Sequence, residues 1–91
     1  MEMQKTAKQL ERYFKGVSNS RRIEILLLLS KDKSLTLDQI SSKLKANMKT
    51  IHEHTKRLFE AGLIRKYREG ATVAHSLSPY GEEFINFMKK F

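Results

Sequence analysis

The chain has no cysteine. Disulfides, thiolate metal sites and cysteine nucleophiles are therefore excluded. Its longest uninterrupted apolar run is Ile25 to Leu29, far too short to span a bilayer. The first fourteen residues are charged throughout and hold no apolar signal-peptide core. These absences point to a reducing, cytoplasmic setting with no membrane contact. The single proline is Pro79, so nothing upstream interrupts a helix by that route. Acid is also scarce: 10 Asp+Glu stand against 18 Lys+Arg, a formal charge of +8.

That charge balance suits a polyanionic partner. At 91 residues the chain makes one small domain, spanning 1–91, with a modest core. No internal repeat, linker or low-complexity stretch divides it.

Helical spacing dominates the pattern. Met3, Ala7, Leu10, Phe14 and Val17 step by four and three, which predicts a helix over 3–17. Ser18-Asn19-Ser20 supplies cap residues for a second helix running to Lys31. The centre of that helix, IEILLLLS, is apolar on nearly every side, so it is expected at the middle of the core. Thr36 with Gln39 three residues on matches a capping box, opening a short helix to about Leu44. Lys45 and Ala46 leave room only for a tight turn. Asn47 then caps a longer helix whose packing stripe is Ile51, Thr55 and Leu58, with His54 beside it. Gly62 stops that helix.

Two strand-like runs follow, Leu63 to Arg68 and Ala71 to Leu77, parted by Glu69-Gly70. In the second, alternation puts Val73, His75 and Leu77 on one face and Ala74 and Ser76 on the other. Pro79 opens the last helix, over 79–91, with the stripe Tyr80, Phe84, Phe87, Met88 and Phe91. The fold class is mainly α with a small β-hairpin, in the order α-α-α-α-β-β-α. A short helix, a three-residue turn and a longer helix make a helix-turn-helix over 36–61, and the basic hairpin at 63–77 is its wing.

From Val17 to Ser78 the chain resembles the ArsR family of winged-helix repressors. The matching stretches are VSNSRRIEILLLL, TLDQISSKL, KTIHEHTKRLFEAGLI, and the REG turn leading to HSLSP. LSPYGEEF is also similar to the strand-to-helix junction of MarR-type winged helices. The resemblance implies a homodimeric DNA-binding repressor whose first and last helices form the dimer contact. The residues at that contact would be Met3, Ala7, Leu10, Phe14, Tyr80, Phe84, Phe87, Met88 and Phe91. The surplus apolar face of the last helix agrees, because such a face marks an interface.

The partner is then double-stranded DNA. Lys49, Thr50, His52, Glu53 and Lys56 project from the free side of the Asn47 helix toward a major groove, with Asn47 at its start. Lysine can donate to guanine and Glu53 can accept from cytosine. Arg57 is placed for a phosphate, Lys45 in the turn belongs to the same DNA-binding set, and some of the wing residues Arg65, Lys66 and Arg68 are expected to reach phosphates or the minor groove. From Lys43 to Arg68 there are eight Lys/Arg against two Glu, so most of the positive excess lies here. The tip, Glu69-Gly70-Ala71-Thr72, carries no base, although family wings often do. Lys45 stands where the family often has glycine. Glu53 is an acid on a face expected to meet an acid.

His52 and His54 do not form a metal site, since positions two apart point about 200° apart on a helix. His54 and His75 are expected to be packed. The thiol-sensor positions of the family hold Thr36, Asp38 and Ser41, and the last helix has no histidine, so no metal site carries over. No catalytic grouping is evident, so no enzyme, metal or cofactor is expected. The effector and the operator are not legible. Two other readings compete: a winged helix that binds proteins, and a non-specific architectural DNA binder.

Overall fold

A computed structural model describes residues 5–91. Five helices and three short strands follow in order: α1 (Ala7–Val17), α2 (Ser20–Lys31), β1 (Leu35–Thr36), α3 (Leu37–Leu44), α4 (Met48–Glu60), β2 (Ile64–Glu69), β3 (Thr72–Leu77) and α5 (Pro79–Met88). α3 and α4 form the helix-turn-helix, and β2 and β3, at Ile64–Glu69 and Thr72–Leu77 where the spacing predicts Leu63–Arg68 and Ala71–Leu77, form the wing. One element is additional. β1 is two residues long and pairs antiparallel with β3, Leu35 opposite His75, so the wing is the larger part of a three-stranded sheet ordered β1-β3-β2. Two residues are too few to show a strand period.

Local chemistry fixes the helix ends. Thr36 and Gln39 form the reciprocal capping box expected of them. Asn47 Oδ1 accepts from the Lys49 and Thr50 amides at 2.8 and 3.3 Å. Asn19 caps α2 in the same way. A second capping box, Thr6 with Gln9, starts α1 at Ala7 rather than at residue 3, and Met3 lies outside the described residues. Gly62 takes φ +82° after α4, a backbone conformation that costs side-chain-bearing residues about 1 kcal/mol or more.

Ile25, Leu26 and Leu29 of α2, Ile40 of α3, Ile51 and Leu58 of α4 and Leu63 form a fully buried centre. At roughly 1.5–3 kcal/mol for each large apolar side chain buried, this cluster is the main cohesive term. α2 is not apolar-covered on every side: Leu27 faces outward. In α1 the inner edge is Tyr13 and Gly16, while Ala7 and Phe14 are exposed. The helix comes close because Gly16 has no side chain: a Cβ there would sit 2.5 Å from that of Ala61.

The strand phase also differs from expectation. Val73 is exposed, and Ala74 and His75 are both buried although adjacent. β3 is the middle strand, and α2, α3 and α5 all pack against it, so simple alternation fails there. α5 stops at Met88, three residues short of Phe91, and its most buried side chain is Ile85, which lies off the expected stripe.

Candidate DNA interface

The chain that forms α4 presents a largely polar free side, interrupted by the half-exposed side chains of Met48 and Phe59. Ile51, Thr55 and Leu58 are fully buried beneath it. Lys49, Thr50, His52, Glu53 and Lys56 are all exposed, as are Asn47 at the cap and Arg57 further on. The helix is pinned at its start by the Asn47 cap, and its entry angle is set by the turn before it. That turn uses Lys45 in the left-handed region, φ +52°. The Lys45 amide closes α3 by donating to Ser42 O at 3.3 Å, with the side chain exposed.

Glu53 has a local explanation. Its carboxylate lies 3.4 Å from the Arg57 guanidinium one turn on, an i,i+4 pair in which both groups are half-exposed or more. Such surface pairs contribute a few tenths of a kcal/mol. The pair lies along one edge of α4.

The wing is fixed from two sides. Tyr67 Oη donates to Ser34 Oγ at 2.7 Å, tying β2 to the turn before β1. Lys66 is half-buried, its ammonium 4.9 Å from the centre of the Phe59 ring, a cation–π contact between the wing and α4. Arg65 and Arg68 are exposed. Lys66 therefore braces the wing, and Arg65 and Arg68 are the freer cations.

Two features escaped the sequence. Met48, the first residue of α4, is 46% exposed among the polar residues, an apolar group at the end expected to enter a groove. Tyr67 gave no signal beyond its strand-like neighbours, because its partner Ser34 is 33 residues away.

The histidines are separated. His52 is exposed, His54 half-buried, and His75 buried with Nδ1 donating to the Leu35 carbonyl at 3.0 Å. Burial lowers the pKa of His75 below the ordinary value, which keeps the ring neutral. His54 is lowered too, first by burial and then by Arg22 and Arg21. Among the described residues no three His, Asp or Glu side chains converge. No helix of the described residues is long and apolar enough to cross a membrane.

Of the proposed dimer residues, Met3 lies outside the described residues, Phe91 lies beyond the end of α5, and the rest lie on α1 and α5. Phe14, Tyr80, Phe87 and Phe91 are exposed, and Leu10, Phe84 and Met88 half-buried. Aromatic pairs join the helices: Tyr13 with Tyr80 at 5.0 Å between ring centres, and Phe14 with Phe84 at 5.2 Å.

A capped helix-turn-helix followed by a braced basic wing defines a winged helix-turn-helix DNA-binding domain of a transcription regulator. Residues 19–66 match the family model of the bacterial regulatory proteins of the arsR family, and the chain belongs to that family. It is 31% identical over 77 residues to the transcriptional activator HlyU of Vibrio cholerae, covering 85% of this chain and 70% of that protein. The structure of HlyU from Vibrio cholerae superposes with a TM-score of 0.84 at 27% identity, covering 97% and 96% of the two chains. The transcriptional repressor PagR of Bacillus anthracis shares the fold at 23% identity and a TM-score of 0.81, over 89% of this chain and 93% of that one. So does the homodimeric winged helix-turn-helix domain Mb0332 of Mycobacterium bovis, at 23% identity and 0.80, over 99% and 87%.

Proposed function

We propose that the chain is a homodimeric, sequence-specific DNA-binding repressor. The observation that carries this is the free side of α4. Lys49, Thr50, His52, Glu53 and Lys56 are exposed together on a rigid, capped helix whose opposite side is fully buried. Placed in a major groove, the lysines donate to guanine O6 and N7 while Arg57, Arg65 and Arg68 hold phosphates. Exposed Phe14, Tyr80 and Phe87 on α1 and α5 supply an apolar face for a second copy, and Mb0332 is described as homodimeric. Two-fold symmetry then sets two α4 helices about one DNA turn, roughly 34 Å, apart.

HlyU is named an activator and PagR a repressor. Repression by covering a promoter needs only the DNA-binding surface of this domain, and that favours repression here. A protein-binding winged helix would show a more apolar free side on α4, and a non-specific binder would show no preference among duplexes.

Equilibrium titration of an operator duplex over a salt series tests the reading. The variant Lys49→Ala/Lys56→Ala should bind more weakly and show a shallower dependence of log K on log salt. Unchanged affinity and slope would show that this side of α4 does not meet DNA.

A further inference from the structure

A second basic feature lies behind the reading face. The end of α1, the start of α2 and the end of α4 enclose an open cleft of about 410 Å³. Arg12, Lys15, Arg22 and Arg57 line it, with Glu60 the one acid. Lys15 and Arg57 each have a carboxylate on their own helix, Glu11 at 3.7 Å and Glu53 at 3.4 Å. Among the described residues Arg12 and Arg22 pair with none.

Arg22 is the informative residue. Its Nε is buried and has no hydrogen-bond partner. A terminal nitrogen of the same guanidinium reaches only the Lys15 carbonyl, at 3.5 Å. An unpaired buried N–H on a permanently charged group is costly, so this guanidinium has donor capacity that its own chain leaves unmet. The amides of Arg21 and Arg22 are taken by the Asn19 cap, so the donors left at this end of α2 are side chains. α2 has no acid in its first turn to oppose the positive end of its dipole. Burial, and after it the charges of Arg22 and Arg21, lowers the pKa of His54 nearby.

We propose that this cleft binds a phosphate-type oxyanion through Arg12, Lys15 and Arg22. A guanidinium presents donors in a planar fork that matches phosphate, and Arg12 and Lys15 add charge from the opposite wall. Arg57 joins the cleft to α4, so an anion there touches the helix that reads DNA. The phosphate comes either from a DNA backbone or from a free phosphoryl compound. The site itself does not rest on the operator reading, because it is tested with inorganic phosphate alone.

The test is an amide-resolved NMR titration of the whole chain with inorganic phosphate at constant ionic strength. Saturable shifts centred on Gly16, Ser18, Arg22 and Ala61 are expected. Arg12→Gln/Lys15→Gln, both exposed positions, should weaken them by about tenfold without changing the rest of the spectrum. Arg22→Gln should do the same, and the double variant keeps the test valid if Arg22→Gln fails to fold. Duplex DNA is then added. If it moves the same amides and displaces phosphate, the source is the DNA backbone. If it moves α4 and the wing and leaves the cleft open to phosphate, the source is a free phosphoryl compound. Non-saturable or scattered shifts with phosphate overturn the proposal, whatever the duplex moves. So does a localised response that the variants leave intact.

Discussion

Ser78 Oγ donates to the Gly62 carbonyl at 2.6 Å and accepts from the Gly81 amide at 3.0 Å. One hydroxyl thus ties the stop of α4 to the first turn of α5. The Ser78 amide adds a bond to Leu63 O at 3.1 Å. Through this joint the helix offered for DNA and the helix offered for dimerisation are held at a fixed angle.

Ser78→Ala should cost about 1–2 kcal/mol, because it removes a helix cap and leaves a partly buried carbonyl without its partner. Urea unfolding measures it. A loss under a few tenths would mean that the joint is held by packing alone.

Gly16→Ala places a methyl 2.5 Å from Ala61 Cβ and 3.0 Å from Leu63 Cδ1. Alanine is the better helix former by roughly 0.5–1 kcal/mol, and overpacking opposes that with about 1–3 kcal/mol. Net destabilisation is expected in thermal unfolding. A higher melting temperature would show that α1 shifts without resistance.

Lys45→Gly should separate stability from binding. Relief of the left-handed lysine is worth about 1 kcal/mol in urea unfolding, less the added freedom of glycine in the unfolded chain. DNA affinity should fall with the lost charge. Equal affinity with higher stability would remove Lys45 from the contact set.

Phe87→Asp puts a charge on a ring position that is 48% exposed in the single chain. If α5 lies in a dimer interface, the variant should sediment as a monomer with unchanged helix content. A variant still dimeric at micromolar concentration would move the interface elsewhere.

His75 gives the pH response its sign. Burial lowers its pKa in the folded chain, so the unfolded chain binds more protons in the titrating range. Stability is therefore full above the ordinary value of about 6.5 and is lost as pH falls below it toward the folded pKa. In His75→Gln this part of the slope should vanish when urea midpoints are compared across that range. A wild-type profile flat through it would show that the ring accepts a proton in place.

The elements that sequence made legible are those written in local chemistry. Thr36 with Gln39, Asn47, Gly62 and Pro79 mark helix ends by contacts a few residues long, and all four mark ends in the structure. What sequence hid depends on distant partners. β1 exists because β3 lies beside it. The inner edge of α1 is Tyr13 and Gly16 rather than the Phe14 stripe, because Ala61 admits a bare glycine and Phe14 turns to Phe84. Glu53 looked out of place on a DNA-facing helix, and Arg57 one turn on gives it a partner. The charged side of α4 was readable because its neighbours at helical spacing are apolar, whereas the cleft at Arg22 draws on three helices and left no trace in any one of them.

Selection of bound duplexes from a random pool tests the central claim most directly. The expected product is a palindromic consensus with half-sites about 10 base pairs apart, the spacing two α4 helices of a two-fold dimer would impose. A pool that emerges without enrichment, while the protein still binds duplex in a salt-dependent way, would contradict sequence-specific recognition by this chain.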